Sequence, residues 1–308
     1  MSTRPGVRRW LKGRVERGSW SRSPSGSRPS WWLKVPKTVT YKQNARAEAA
    51  FPESPVEADK AWPEMIHRYA AAALGLLVLV LAVLAVKDGQ SWRLPVALVA
   101  LVIAQGAFGA WTVTLKLWPQ VVTIHLLGGF ATLALLWVWW LRLRGRHWPV
   151  VPALYRLSLA TLVAVVLQVA LGGWLTANYA ALACPDFPTC HGVWIPDMDF
   201  AAGFDIFQDV GPNYLGGLMS SDARVAIHVV HRVGAAAVLL FAGWLAFRLG
   251  ARPMTWVLGS VLVVQLALGI ANVIFALPLA VAVLHNAGAA VLLLVVLTVN
   301  YACHRSSA

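Results

Sequence analysis

Residues 226–247 read AIHVVHRVGAAAVLLFAGWLAF. Two histidines and an arginine crowd the first third, and nothing charged follows from Val233 to Phe247. A helix rises about 1.5 Å per residue, so roughly 20 apolar residues cross a bilayer core. This stretch is long enough, and it keeps its ionisable groups at one rim. Six further runs share its composition, at about 65–86, 94–115, 120–141, 154–175, 254–275 and 280–302. Each is mostly Leu, Val and Ala with tryptophans toward the ends, as expected of interfacial anchors. Of the 308 residues, 58% are hydrophobic and the mean hydropathy is +0.64, against about 45–50% apolar residues in soluble domains. The fold class predicted is an all-α polytopic membrane protein with seven readable transmembrane helices.

The formal charge of +13 is unevenly placed. Residues 1–46 hold twelve Lys/Arg against Glu16 alone, whereas residues 47–308 hold fourteen against twelve acids. The basicity therefore belongs to a Ser/Arg/Trp/Pro-rich leader, residues 1–43, read as a low-complexity, disordered or non-native extension. Basic tails can bind anionic lipid or nucleic acid; the near-neutral body gives no reason to expect nucleic acid. The leader has no apolar core of a signal peptide.

Short-loop charge orients the helices. Lys87 and Arg93, then Arg142, Arg144, Arg146 and Arg156, then Arg248 and Arg252, and finally Arg305 fall on alternate connections, which should be cytoplasmic. The 176–225 loop is acidic, with Asp186, Asp197, Asp199, Asp205, Asp209 and Asp222 against Arg224, and should face outward. This order starts the first helix outside, together with a basic leader that the same rule would keep inside. Either the leader crosses without a spanning helix or a helix is missing ahead of residue 60.

The chain also repeats. His67-Arg68 opens one run and His231-Arg232 another. Gln105-x-x-x-Gly109 lies twenty residues before His125, and Gln265-x-x-x-Gly269 twenty before His285. A third such pair, Gln168 and Gly172, precedes His231, and its expected counterpart before residue 60 is absent. The repeat divides the body into an N-terminal half, 44–147, with three helices, and a C-terminal half, 148–308, with four and the outward loop. The repeat and the charge conflict point to the same helix.

In the orientation above, His67, His125, His231 and His285 share one depth near the outer surface. Ionisable groups inside a membrane are rare and usually functional. Neutral imidazoles from neighbouring helices can clamp a heme iron axially; interfacial capping, proton relay and metal transport are the competing readings. Arg68 and Arg232 suit heme propionates, or snorkel toward headgroups. Glu64 lies one helical turn before His67, where His231 has His228 instead. That asymmetry suggests one reactive and one electron-transferring site, the carboxylate relaying protons or stabilising a cation, unless Glu64 is an ordinary first-turn helix acid. Cys184-Pro-Asp-Phe-Pro-Thr-Cys190 can close a short disulfide on an oxidising side. A redox role or metal binding are alternatives, although no second ligand pair exists for zinc. His191 reads as a loop residue, and Cys303 lies in the last few residues, far in sequence from the other two cysteines.

Several stretches together resemble the heme A synthases, proteobacterial type, over roughly residues 45–303. They are Glu64-Met-Ile-His67-Arg68; Gln105 through Trp118-Pro119-Gln120 to His125-Leu-Leu-Gly-Gly; Asn178 through the cysteine loop to His191-Gly192; Ile227-His228-Val-Val-His231-Arg232; and Leu284-His285-Asn286 to Tyr301. The resemblance implies eight helices in two pseudo-symmetric four-helix bundles, of which this chain shows seven. It implies a heme b cofactor on His231 and His285, and a substrate heme O framed by His67 and His125 with Glu64 as the acid required for oxidation. The reaction implied is stepwise oxidation of the ring C8 methyl to formyl, for cytochrome oxidase assembly. Heme O synthase and oxidase assembly factors would be partners in a bacterial cytoplasmic membrane, with a homo-oligomer left open. A diheme b-type electron carrier linked to quinol is the other reading, and a heme or cation transporter a third; the latter would favour helices broken at mid-membrane.

Overall fold

A computed structural model describes residues 58–145 and 152–305; the leader and the start of the N-terminal half lie outside the described residues. By its internal contacts the chain divides into Met1–Ile66 and His67–Ala308. Seven helices are long and apolar enough to span a membrane. They are α1 (Ala58–Lys87), α2 (Arg93–Thr114), α3 (Pro119–Arg144), α4 (Tyr155–Ala177), α5 (Ser221–Leu249), α6 (Pro253–Ile274) and α7 (Leu279–Arg305). Pro119 and Pro253 stand in the first turns of α3 and α6, where a missing N–H costs nothing. Outside the spans the described chain has one 3₁₀ turn, Pro152–Leu154, and one helical turn, Phe200–Gly203.

The repeat seen in the sequence is a repeat of structure. Helices α2, α4 and α6 end in the same way. Leu115, Asn178 and Phe275 donate to the carbonyls of Trp111, Trp174 and Ala271. The next two amides reach back to Val113 and Thr112, to Thr176 and Leu175, and to Val273 and Asn272. Crossed bonds of this kind form a Schellman turn, whose hinge residue is left-handed and usually glycine. Here the hinges are Lys116, Tyr179 and Ala276, at φ 51°, 54° and 54°, each costing about 1 kcal/mol relative to glycine.

In the C-terminal half α4 packs on α5, α5 on α6, α6 on α7, and α7 returns to α4, closing a four-helix bundle. Its core runs through Val165, Leu245, Leu249, Leu258 and Val296. Helix α3 lies against α4 and α7 and joins the halves, with Phe130 and Ala134 packed onto that core. Helices α2 and α3 form a hairpin matching α6 and α7, and Val78, Ala85, Leu98 and Trp139 tie α1 to it. Large apolar side chains such as Leu76, Leu77, Leu240, Phe247 and Val291 are exposed. In water that surface would be unfavourable; in hydrocarbon it is the expected exterior, with every helical backbone group satisfied internally.

Candidate functional site

His125 and His285 sit at equivalent places, six residues into α3 and α7. His231 lies ten residues into α5. The structure brings His67 and His125 together, with ring centroids 6.5 Å apart and planes at 89°. His231 and His285 are near enough to interact electrostatically. The four histidines thus form two pairs, one within each half. His125, His231 and His285 are half-buried, whereas His67, Arg68 and Glu64 are exposed on α1.

Glycines let the rings lie where they do. A Cβ on Gly109 would stand 3.2 Å from Cε1 of His125, on Gly172 3.4 Å from that of His231, and on Gly269 3.1 Å from that of His285. The second residue of the Gln-x-x-x-Gly motif is therefore the clearance for an imidazole on the next helix. The sequence reading found the motif but not its complement: Gly128, Gly234 and Gly288, each three residues after a histidine. A Cβ on any of them would overlap the side-chain amide of Gln105, Gln168 or Gln265 respectively. A His-x-x-Gly search would have found them.

Arg232, next to His231, turns out to the cysteine loop. Its terminal nitrogens donate to four backbone carbonyls, those of Thr189 (2.8 Å), Asp186 (2.7 Å), Pro188 and Cys184 (3.3 Å each). Its Nε is buried without a partner. His228, 3% exposed, lies with Nδ1 3.1 Å from the Ala180 carbonyl and 3.3 Å from the Cys184 amide. One tautomer serves one of these contacts. The residue standing where Glu64 stands in the first half is thus spent on holding the loop. Cys184 and Cys190 are disulfide-bonded as expected. His191 is a loop residue, its ring contacting the Ala183 carbonyl at 2.9 Å.

The same loop crosses to the N-terminal half. Trp118 Nε1 donates to the Gln208 carbonyl (3.1 Å), Gln120 Nε2 to that of Ile206 (2.9 Å), and the Tyr214 amide to that of Lys116 (3.1 Å). Trp118 and Gln120 open α3, the helix that carries His125. No signal in the sequence paired these distant positions.

Compared with known proteins, residues 31–297 match the profile of a cytochrome oxidase assembly protein family. The chain is 43% identical over 285 residues to a heme A synthase of Shewanella oneidensis, covering 89% of this chain and 86% of that one. It is 30% identical over 266 residues to that of Sphingopyxis alaskensis, with 80% and 70% covered. That of Maricaulis maris is 29% identical over 266 residues, with 80% and 74% covered.

The chain belongs to the heme A synthase family.

The residues present fit a heme group of the kind that family name implies. Two imidazoles either side of one iron, with metal–nitrogen bonds of about 2 Å, stand about 6 Å apart between ring centres, close to the spacing of His67 and His125. In each half one half-buried histidine, His125 or His285, has a buried ring nitrogen without a partner. A buried polar nitrogen left open is costly unless something binds it. Among the described residues no group of three or more His, Cys, Asp and Glu is arranged to hold a bare metal ion.

Proposed function

We propose that this chain converts heme O to heme A by oxidising the ring C8 methyl to formyl in steps, the last being loss of water from the gem-diol. The observation that carries the reading is the paired-histidine arrangement, present in both halves of a chain 43% identical to a heme A synthase. Those relatives favour the synthase over the diheme electron carrier.

His231 and His285 would hold heme b, and His67 and His125 would flank the substrate. Bound heme iron would supply the redox chemistry, with an external oxidant taking up the electrons released as the methyl becomes formyl. The chain's own part is to bind, orient and manage protons. Glu64 carries the carboxylate nearest in sequence to the His67 site and is assigned the proton relay. Arg68 is assigned to a propionate. Arg232 has four of its five N–H groups committed to the loop, so a propionate would meet the remaining Nε. The disulfide loop fixes Arg232, and through it the turn that bears His231.

The setting is a bacterial cytoplasmic membrane with the cysteine loop on the outer side, and heme O synthase and oxidase assembly factors as partners. The test is purification followed by pigment extraction. Heme O or heme A recovered beside heme b supports the synthase; heme b alone, two per chain, supports the electron carrier. Glu64→Ala should abolish heme A formation while the C-terminal heme spectrum is unchanged. Loss of both pigments would make Glu64 structural.

A further inference from the structure

Three helix pairs carry one device. Gln105 and Gly109 on α2 face His125 and Gly128 on α3; Gln168 and Gly172 on α4 face His231 and Gly234 on α5; Gln265 and Gly269 on α6 face His285 and Gly288 on α7. Each glycine is the notch for the other helix's side chain, the imidazole on one side and the glutamine amide on the other. The fit is reciprocal, which ordinary small-residue helix packing does not require.

In the α4–α5 pair the amide meets the histidine directly. Gln168 Nε2 donates to the His231 carbonyl at 2.9 Å and lies 3.2 Å and 3.3 Å from the two ring nitrogens. In the α6–α7 pair, Gln265 Oε1 and His285 Nδ1 are both buried without partners. A histidine that binds metal through one nitrogen normally gives the N–H of the other to an acceptor, which sets its tautomer and ring plane. The glutamine in each notch brings its side-chain amide to that place, Nε2 foremost at Gly128 and Oε1 at Gly234 and Gly288.

His67 is the exception. The position three residues after it is Ala70 rather than glycine, so no notch of this kind lies beside it. We propose that Gln105, Gln168 and Gln265 are positioning residues that set the ring orientation of His125, His231 and His285, and that His67, held by no such notch, is the heme ligand that yields. The proposal rests on the heme reading above. One site then has both ligands braced and stays closed, while the other has one braced ligand and one that can leave an iron position open.

The test uses the purified, heme-loaded protein and spectroscopy rather than turnover. Gln265→Met keeps side-chain volume but removes the amide, and Gly288→Ala evicts the amide without deleting it. Both should retain C-terminal heme, shift the low-spin ferric EPR signal in the same way, and speed capture of added imidazole several-fold. The double variant should add nothing further, because both act on one contact. In the other half, His67→Ala should keep its heme with a five-coordinate, high-spin spectrum, whereas His125→Ala should lose it. Folded, heme-loaded Gln265→Met with the wild-type signal and imidazole rate would overturn the proposal. So would Gly288→Ala losing heme while Gln265→Met keeps it unchanged, since the glycine would then serve packing alone, or equal heme loss in the two histidine variants. Wild-type protein that binds no heme would instead overturn the functional reading itself.

Discussion

Asp186 shows how one side chain organises the cysteine loop. Its carboxylate accepts from the Thr189 hydroxyl, the Gly192 amide at 2.9 Å and the His191 amide at 2.6 Å. These donors, the hydroxyl foremost, lower its pKa from 3.8 to about 2. A depressed folded-state pKa contributes stability above the unfolded value, and that contribution is lost as pH falls through the folded one. Protection of the His191 and Gly192 amides, measured by hydrogen exchange corrected for intrinsic rate, should therefore hold from pH 7 to 5. It should decline between about pH 4 and 2, and Asp186→Asn should remove that decline. Arg232 belongs at this scale too. Sequence reading offered it either a propionate or the headgroup region, because the direction of a long side chain is not written in its neighbours. Its four loop carbonyls appear only when residues 184–189 fold back over α5. Lysine has one charged tip in place of a planar fork. Arg232→Lys should expose the disulfide, read as several-fold faster alkylation of Cys184 and Cys190 under mild reductant.

At the scale of elements, the spans were legible because each carries a long apolar run ended by charge, proline or tryptophan. The predicted run 120–141 became Pro119–Arg144, and 254–275 became Pro253–Ile274. The loop between α4 and α5 was legible only as acidic and cysteine-bearing. Its helical turn is placed by Gly203, where a Cβ would stand 2.7 Å from the Ala223 carbonyl, and by Trp174 Nε1, which donates to the Gly203 carbonyl at 2.8 Å. The obstacle is backbone, which cannot swing aside. Gly203→Ala should destabilise by about 1–3 kcal/mol, seen as a lower melting temperature in detergent. The strap onto α3 makes a separate prediction. Gln120→Ala removes one exposed hydrogen bond, worth about 0.5–1.5 kcal/mol, so proteolysis at residues 206–214 should rise while helix melting is unchanged.

Across the whole molecule, the halves meet through α3. Trp137 Nε1 donates to Thr298 Oγ1 of α7 at 2.8 Å, with no water in hydrocarbon to replace it. Trp137→Phe should cost about 0.6–2 kcal/mol, measured by thermal unfolding, and should leave each half's histidine pair intact. The sequence by itself determined the membrane class, seven spans, the internal repeat and the four histidines, because hydropathy and spacing along a chain are one-dimensional quantities. What brings His67 within 6.5 Å of His125, sets each glutamine in a glycine notch and ties Arg232 to the cysteine loop was decided by tertiary structure. Those contacts join residues tens of positions apart, and helix packing alone selects which faces meet. The histidines were visible as a set, and Glu64 against His228 as a difference between the pairs; that three of the four sit beside a glycine filled by a glutamine became visible only in the packed helices.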